Sequence, residues 1–207
     1  MRRPMAKAMT SFSLRPARAV LTAATLAAVL LAAAASARAA TPYQNPFTGE
    51  EPYVGRTDMG VDLCLSPGDP IRALGAGVVT GIMRNWAGRQ PYVWYELLGG
   101  PSAGRYVYVA EQITALPHIG QTLHAGDILA RYARKGTCIE TGWSAADGET
   151  QAQATTGYAE GEVTVAGVSF ARVLISLGVQ GVFDLVPAHA TRVKPGKKHH
   201  PTHAARH

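Results

Sequence analysis

The stretch GRTDMGVDLCLSPGDPIRALGAGVV, Gly55 to Val79, decides how the chain is read. Short apolar runs alternate in it with Gly and Pro turn signals, which marks β-strands joined by tight turns. Asp58 and Asp62 stand four residues apart at its head, and Cys64 follows two residues after the second aspartate. The pattern has the look of half a metal site, yet it holds no histidine.

Outward from this stretch the same rhythm continues to Trp143. PIRAL, GVVTGIM, YVWYELL, RYVYVAEQI, DILARYA and CIETGW are each bounded by turn residues. YVWYELL and YVYVAEQI flank GGPSAG, a loop of hairpin character. The expected class is mainly β. From Ser144 to Gly157 the chain is polar and reads as a loop. The period then changes: Val168, Ala171, Leu174, Ile175 and Leu177 recur at helical spacing, with Thr164 as N-cap and Gly178 just past the end. One C-terminal helix is expected there, and VQGVFDLVPA after it reads as a short strand.

The ends of the chain differ from its middle. Arg2, Arg3, Lys7, Arg15 and Arg18 precede an Ala- and Leu-rich stretch, Ala19 to Ala35, which closes on Ala37-Arg38-Ala39. That is a secretory signal peptide over 1–39, cleaved near Ala39. Residues 40–54 read as an extended leader, 55–143 as the β domain, and 144–188 as a loop and helix packed on it. The basic, His-rich 189–207 has too few large apolar groups to bury a core and reads as a disordered tail. The 20 basic residues outnumber the 14 acidic ones, but six lie in 1–39 and five after His189. Residues 40–188 carry nine against 14, a net charge of −5. The basic pI reports the two ends, so nucleic-acid binding by the body is not expected, nor is a stable membrane span once the signal is removed. Two cysteines in a secreted chain of 168 residues suggest one disulfide. Trp86, Trp94, Trp143, Tyr92, Tyr95, Tyr106 and Tyr108 fit either a glycan or peptide groove or strand-face packing.

In its running order, the region 55–143 resembles the lysostaphin-like zinc endopeptidases that cut peptidoglycan cross-bridges. The resemblance rests on DMGVDLCLSPGDPIRALGAGVVTGI, YVYVAEQI, IGQTLHAGDILARY and GTCIETGW. It implies a duplicated-hairpin, barrel-sandwich-like antiparallel domain. In that family a histidine and an aspartate spaced H-x-x-x-D, with the second histidine of H-x-H, hold zinc. Those positions are Asp58, Asp62 and Glu140 here. The general base, the first histidine of H-x-H, falls on Cys138, and the histidine of Y-x-H falls on or next to Glu111.

The resemblance therefore implies the fold of a peptidoglycan hydrolase without its histidines. No catalytic residue and no zinc are expected, because three carboxylates suit a hard cation such as Ca²⁺ or Mg²⁺, weakly bound, better than zinc. Either aspartate is otherwise satisfied by an arginine such as Arg56. The function implied is a non-catalytic binding or regulatory module for peptidoglycan or another cell-envelope component. The alternative is a metal-dependent hydrolase that uses Asp58, Asp62 and Glu140 as ligands and Glu111 as proton acceptor. A lipoyl-type carrier domain needs a lysine at a hairpin tip, and Lys135 is the only lysine between residues 40 and 190. The motif alignment also sets Asp62 against Glu140 on antiparallel neighbours. Two residues along, Cys64 then faces Cys138, with a Cα separation of about 4.5–5.5 Å that suits a disulfide.

Overall fold

Period-two burial builds the sheet around which the site is arranged. In strand β2 (Val61–Cys64), Val61 and Leu63 are fully buried while Asp62 and Cys64 face a half-buried surface. The computed structural model describes residues 43–133, 138–155 and 157–183. All belong to one unit, Ala40–His207. The signal-peptide and tail readings lie outside these residues.

The other strands are β1 (Tyr53–Thr57), β3 (Pro70–Arg72), β4 (Gly77–Trp86), β5 (Gln90–Leu97), β6 (Tyr106–Ala110), β7 (Ile113–Thr114), β8 (Thr122–Leu123), β9 (Ile128–Tyr132) and β10 (Ile139–Ser144). Helices α1 (Gln151–Thr155) and α2 (Val165–Ser176) follow. The larger sheet has the order β1-β2-β10-β6-β5-β4-β8, and the smaller β3-β9-β7. Strand pairings are antiparallel throughout. The class is thus mainly antiparallel β, as expected, but the sheets do not close into a barrel. β5 and β6 pair across GGPSAG as the hairpin reading required, with Tyr95 opposite Val107.

One face of the large sheet carries the main core. Val61, Leu63, Val93, Val107, Val109 and Ile139 are buried there. Helix α2 packs over β1, β2 and β10 and sets Phe170 edge-on against Trp143, with ring centroids 5.0 Å apart. Its caps are those expected. Thr164 Oγ1 accepts from Gly167 N at 3.0 Å. At the other end Gly178, with φ 78°, donates to Ile175 O, and Val179 donates to Leu174 O. This doubly bonded turn ends the helix and returns Val179 to the core.

Three local readings are corrected. A second helix, α1, stands inside the segment read as a loop: it is one turn long, started by Thr150, and buries only Ala152, too little to show a period. The segment before β1 is anchored rather than merely extended: Phe47 is core, and the Tyr43 hydroxyl donates to Gly99 O at 3.1 Å. Residues 179–183 form no strand; Val179 and Val182 are buried as loop residues, and the rest of VQGVFDLVPA lies outside the described residues.

Candidate functional site

The opposite face of the large sheet carries a buried polar row. Asp62 pairs with Glu140, Glu140 with Ala110, and Ala110 with Tyr92, across β2, β10, β6 and β5. Asp58 joins the row from the turn between β1 and β2. Its backbone N–H donates to Gly60 O at 3.0 Å, and its Oδ1 accepts from Met59 N at 2.7 Å. Gly60 lets this turn lie flat on β10: a Cβ there would stand 2.6 Å from Thr141 O and 2.9 Å from Glu140 Oε1. Helix α2 pins the turn from the far side, since Thr164 donates to Asp58 O from both N, at 3.0 Å, and Oγ1, at 2.9 Å.

One carboxylate oxygen each from Asp58, Asp62 and Glu140 lies within 4.8 Å of the others. Three anions so placed need neutralising, and two devices supply it. The first is Arg56, on β1. Its Nε stands 2.9 Å from Asp58 Oδ2 and 2.8 Å from Asp62 Oδ2, and its Nη2 is 2.6 Å from Glu160 Oε1. The hydrogen bond to Glu160 and the neighbouring aspartates hold the guanidinium well above its ordinary value, so it is charged at any relevant pH. Arg56 is half-exposed and reaches in over the rim, whereas Asp58 is 1% exposed.

The second device is protonation. Burial, with repulsion from Asp58 and Asp62, pushes Glu140 from 4.5 up to about 8, against the opposing hydrogen bond from the Tyr108 hydroxyl. Burial, with repulsion from Asp58, raises Asp62 from 3.8 to about 6, with Arg56 opposing. Near neutral pH Glu140 is therefore mostly the neutral acid and Asp62 mostly the carboxylate. Tyr108 is fully buried and stacked on Tyr92 at 5.1 Å between centroids, and burial raises its hydroxyl too, so it stays a donor. Asp58 Oδ2 also accepts from the Tyr158 hydroxyl at 2.6 Å.

Cys64 and Cys138 form a disulfide with a Cα separation of 4.1 Å. It lies one alternation from the Asp62–Glu140 pair, beyond the Leu63–Ile139 pair. It therefore staples β2 to β10 beside the carboxylates, and neither sulfur is free to act as thiolate ligand, base or nucleophile. Glu111 sits just past the end of β6 with φ 63°, and the residue opposite Glu140 is Ala110. The position read as on or next to Glu111 thus spans the end of β6, with Ala110 opposite Glu140 and Glu111 just beyond it. Glu111 stays within electrostatic reach of Arg56 and Asp58, and its carboxyl is raised, chiefly by burial. His118 and His124 are exposed, and His124 contacts Asp127. Of the aromatics, Tyr92, Trp94, Tyr95, Tyr108 and Trp143 are buried, as strand-face packing requires.

The carboxylates, Arg56 and the cysteines were visible in sequence. Tyr158 and Glu160 were not: they come from the loop before α2, about a hundred residues from Asp58, and no spacing rule links them. Tyr108 was visible only as an aromatic; its donation to Glu140 depends on the β6–β10 register.

No family model and no curated protein matches the chain. Solved structures do resemble it. The antimicrobial peptidase lysostaphin from Staphylococcus simulans superposes with a TM-score of 0.46 at 12% identity, over 74% of this chain and 60% of that one. A Pseudomonas aeruginosa protein described as a candidate peptidase M23 gives 0.36 at 17% identity, over 68% and 63%. The chain spans less than two thirds of the length of either. Among the described residues no helix is long and apolar enough to cross a membrane.

Proposed function

We propose that this is a secreted cell-envelope protein that uses a peptidoglycan-endopeptidase-like fold to bind peptidoglycan or regulate work on it, without hydrolysing it. The observation that carries the reading is the seat of Arg56: a guanidinium lies between Asp58 and Asp62, at the positions the sequence resemblance assigns to metal ligands. The cation there is the protein's own.

Zinc does not fit this group. Zinc sites are built from imidazole and thiolate with few carboxylates, at roughly 2 Å. Here three carboxyl groups converge, one holds its proton near neutrality, and an arginine pairs with the other two. Hydrolysis by an activated water also needs a proton acceptor close to the attacked carbonyl. Of the positions the resemblance gives that role, Cys138 is locked in the disulfide, and the one on or next to Glu111 lies where the backbone leaves β6 in the left-handed region. What remains is a rigid polar face. The disulfide suits an oxidising compartment and, with the signal peptide read over 1–39, supports export.

Co-sedimentation of the exported full chain with purified peptidoglycan sacculi tests this reading. Saturable pelleting with the sacculi is expected. Protein that stays in the supernatant at every sacculus concentration would refute binding.

The close approach of the three carboxylates favours one rival, a metal-dependent peptidoglycan hydrolase with Asp58, Asp62 and Glu140 as ligands. Stoichiometric zinc in the exported protein, lost on Asp62→Ala, would select it.

A further inference from the structure

A separate cavity of about 450 Å³ lies between the β4–β5 hairpin and strand β7, the edge of the small sheet. Arg84 and Arg89 line it together with Pro91, Ile113 and Leu116. Both arginines are exposed, and neither has an ion pair or a hydrogen bond to another side chain among the described residues. Two unpaired guanidiniums in a body whose net charge is −5 are therefore not spent on holding the fold. The cavity's size is that of small-ligand pockets.

The backbone around it is unusual. The non-glycine residues with left-handed φ among those described are Arg89, Glu111, Gln112 and Ala115, at 71°, 63°, 38° and 52°. Arg89 and Ala115 line the cavity, and Glu111 and Gln112 precede Ile113 in its wall. L-residues adopt this region at a cost, and such residues gather where a binding surface must be shaped. The cavity lies on the same sheet as the carboxylate row but apart from it: three strand spacings, about 15 Å, separate Glu140 from β4.

We propose that this cavity binds the free terminal carboxylate of a short peptide carrying small aliphatic side chains. A guanidinium fork matches a carboxylate in a bidentate way, and a pair of them defines a negative end. The half-buried Pro91 and Leu116 offer apolar surface to methyl-sized groups, and the Thr114 hydroxyl in the lining already donates to Arg131 O at 3.3 Å, which favours an aliphatic acid over inorganic phosphate. The inference rests on the cell-wall reading above, because the uncross-linked ends of peptidoglycan stem peptides have this chemistry. The cavity would then supply the end-recognition of a binding module.

The test is titration of the exported full chain with N-acetyl-D-alanyl-D-alanine, with the same dipeptide as its C-terminal amide, and with inorganic phosphate, read by calorimetry. The acid should bind, the amide should bind at least about tenfold more weakly, and the Arg84→Gln/Arg89→Gln double variant should lose about the same factor for the acid. Both arginines are exposed, so the variant should keep the parent's thermal transition and circular dichroism. Absence of acid binding, equal affinity for acid and amide, an unaffected double variant, or phosphate binding as tight as the acid would each overturn the proposal. Sacculus pelleting separates the two claims. Pelleting without dipeptide binding refutes this site and leaves the cell-wall reading standing; dipeptide binding without pelleting supports this site and refutes that reading.

Discussion

Replacing Glu140 by glutamine removes an ionisable proton from the centre of the site and little else. Glutamine keeps the shape and an acceptor for the Tyr108 hydroxyl. The side chain is 3% exposed, and its carboxyl is raised from 4.5 to about 8, chiefly by burial. The folded state thus holds this proton more tightly than the unfolded chain does. The parent's stability falls as pH rises through that window and levels off above it. At about 1.4 kcal/mol per pH unit, the whole window is worth at most about 5 kcal/mol, of which about 2 kcal/mol falls between about pH 6 and about pH 8. Asp62, raised from 3.8 to about 6, gives a loss of the same sign at lower pH, and that loss is common to both proteins. Urea unfolding followed by tryptophan fluorescence, with the disulfide intact, measures the difference. Relative to the parent, Glu140→Gln should gain about 2 kcal/mol between those two pH values. A difference that stays constant across the interval, or moves the other way, would show that Glu140 is already ionised in the folded state. The proton-sharing account of the site would then fail.

Removing the internal cation has the opposite consequence. Arg56→Ala leaves Asp58 buried without its ion pair and should cost about 2 kcal/mol at neutral pH, less than a fully buried pair because Arg56 is half-exposed. Added Ca²⁺ should raise the melting temperature of that variant and leave the parent unchanged; equal responses would count against an arginine in the cation's place. Gly167→Ala should destabilise by about 1–3 kcal/mol despite alanine's higher helix propensity, because a Cβ there would press on the Asp58 carbonyl group, 2.9 Å from its carbon. An unchanged urea midpoint would mean that α2 does not clamp the turn. The unfolded, unreduced protein should show no free thiol, and the Cys64→Ala/Cys138→Ala variant should lose about 4 kcal/mol, the chain-entropy value for cysteines 74 residues apart. A smaller loss would place the staple's effect elsewhere than in the unfolded chain.

Local chemistry was legible in the sequence, and so was register where a motif fixed it. The alternation around Asp62 and Cys64 indicated a strand, and the motif alignment set Asp62 against Glu140, the pairing found. The Cys64–Cys138 bond followed from stepping two residues along each strand. Thr164 and Gly178 marked the ends of α2 because caps are local hydrogen-bond devices. One-turn helix α1 was hidden because a single turn has no period. The Y-x-H position was ambiguous because the chain leaves β6 at Ala110 through left-handed Glu111 and Gln112, a departure that the side chains at those positions do not announce. Tyr158 and Glu160 were hidden because they reach the site through tertiary packing alone.

The measurement that bears most directly on a non-catalytic site is the release of new amino groups from purified peptidoglycan incubated with the exported full chain, with and without added Zn²⁺. The expected result is no release above the buffer control in either condition. Zinc-dependent release that disappears in Asp62→Ala would contradict it, and would show that the carboxylates bind a working metal in spite of Arg56.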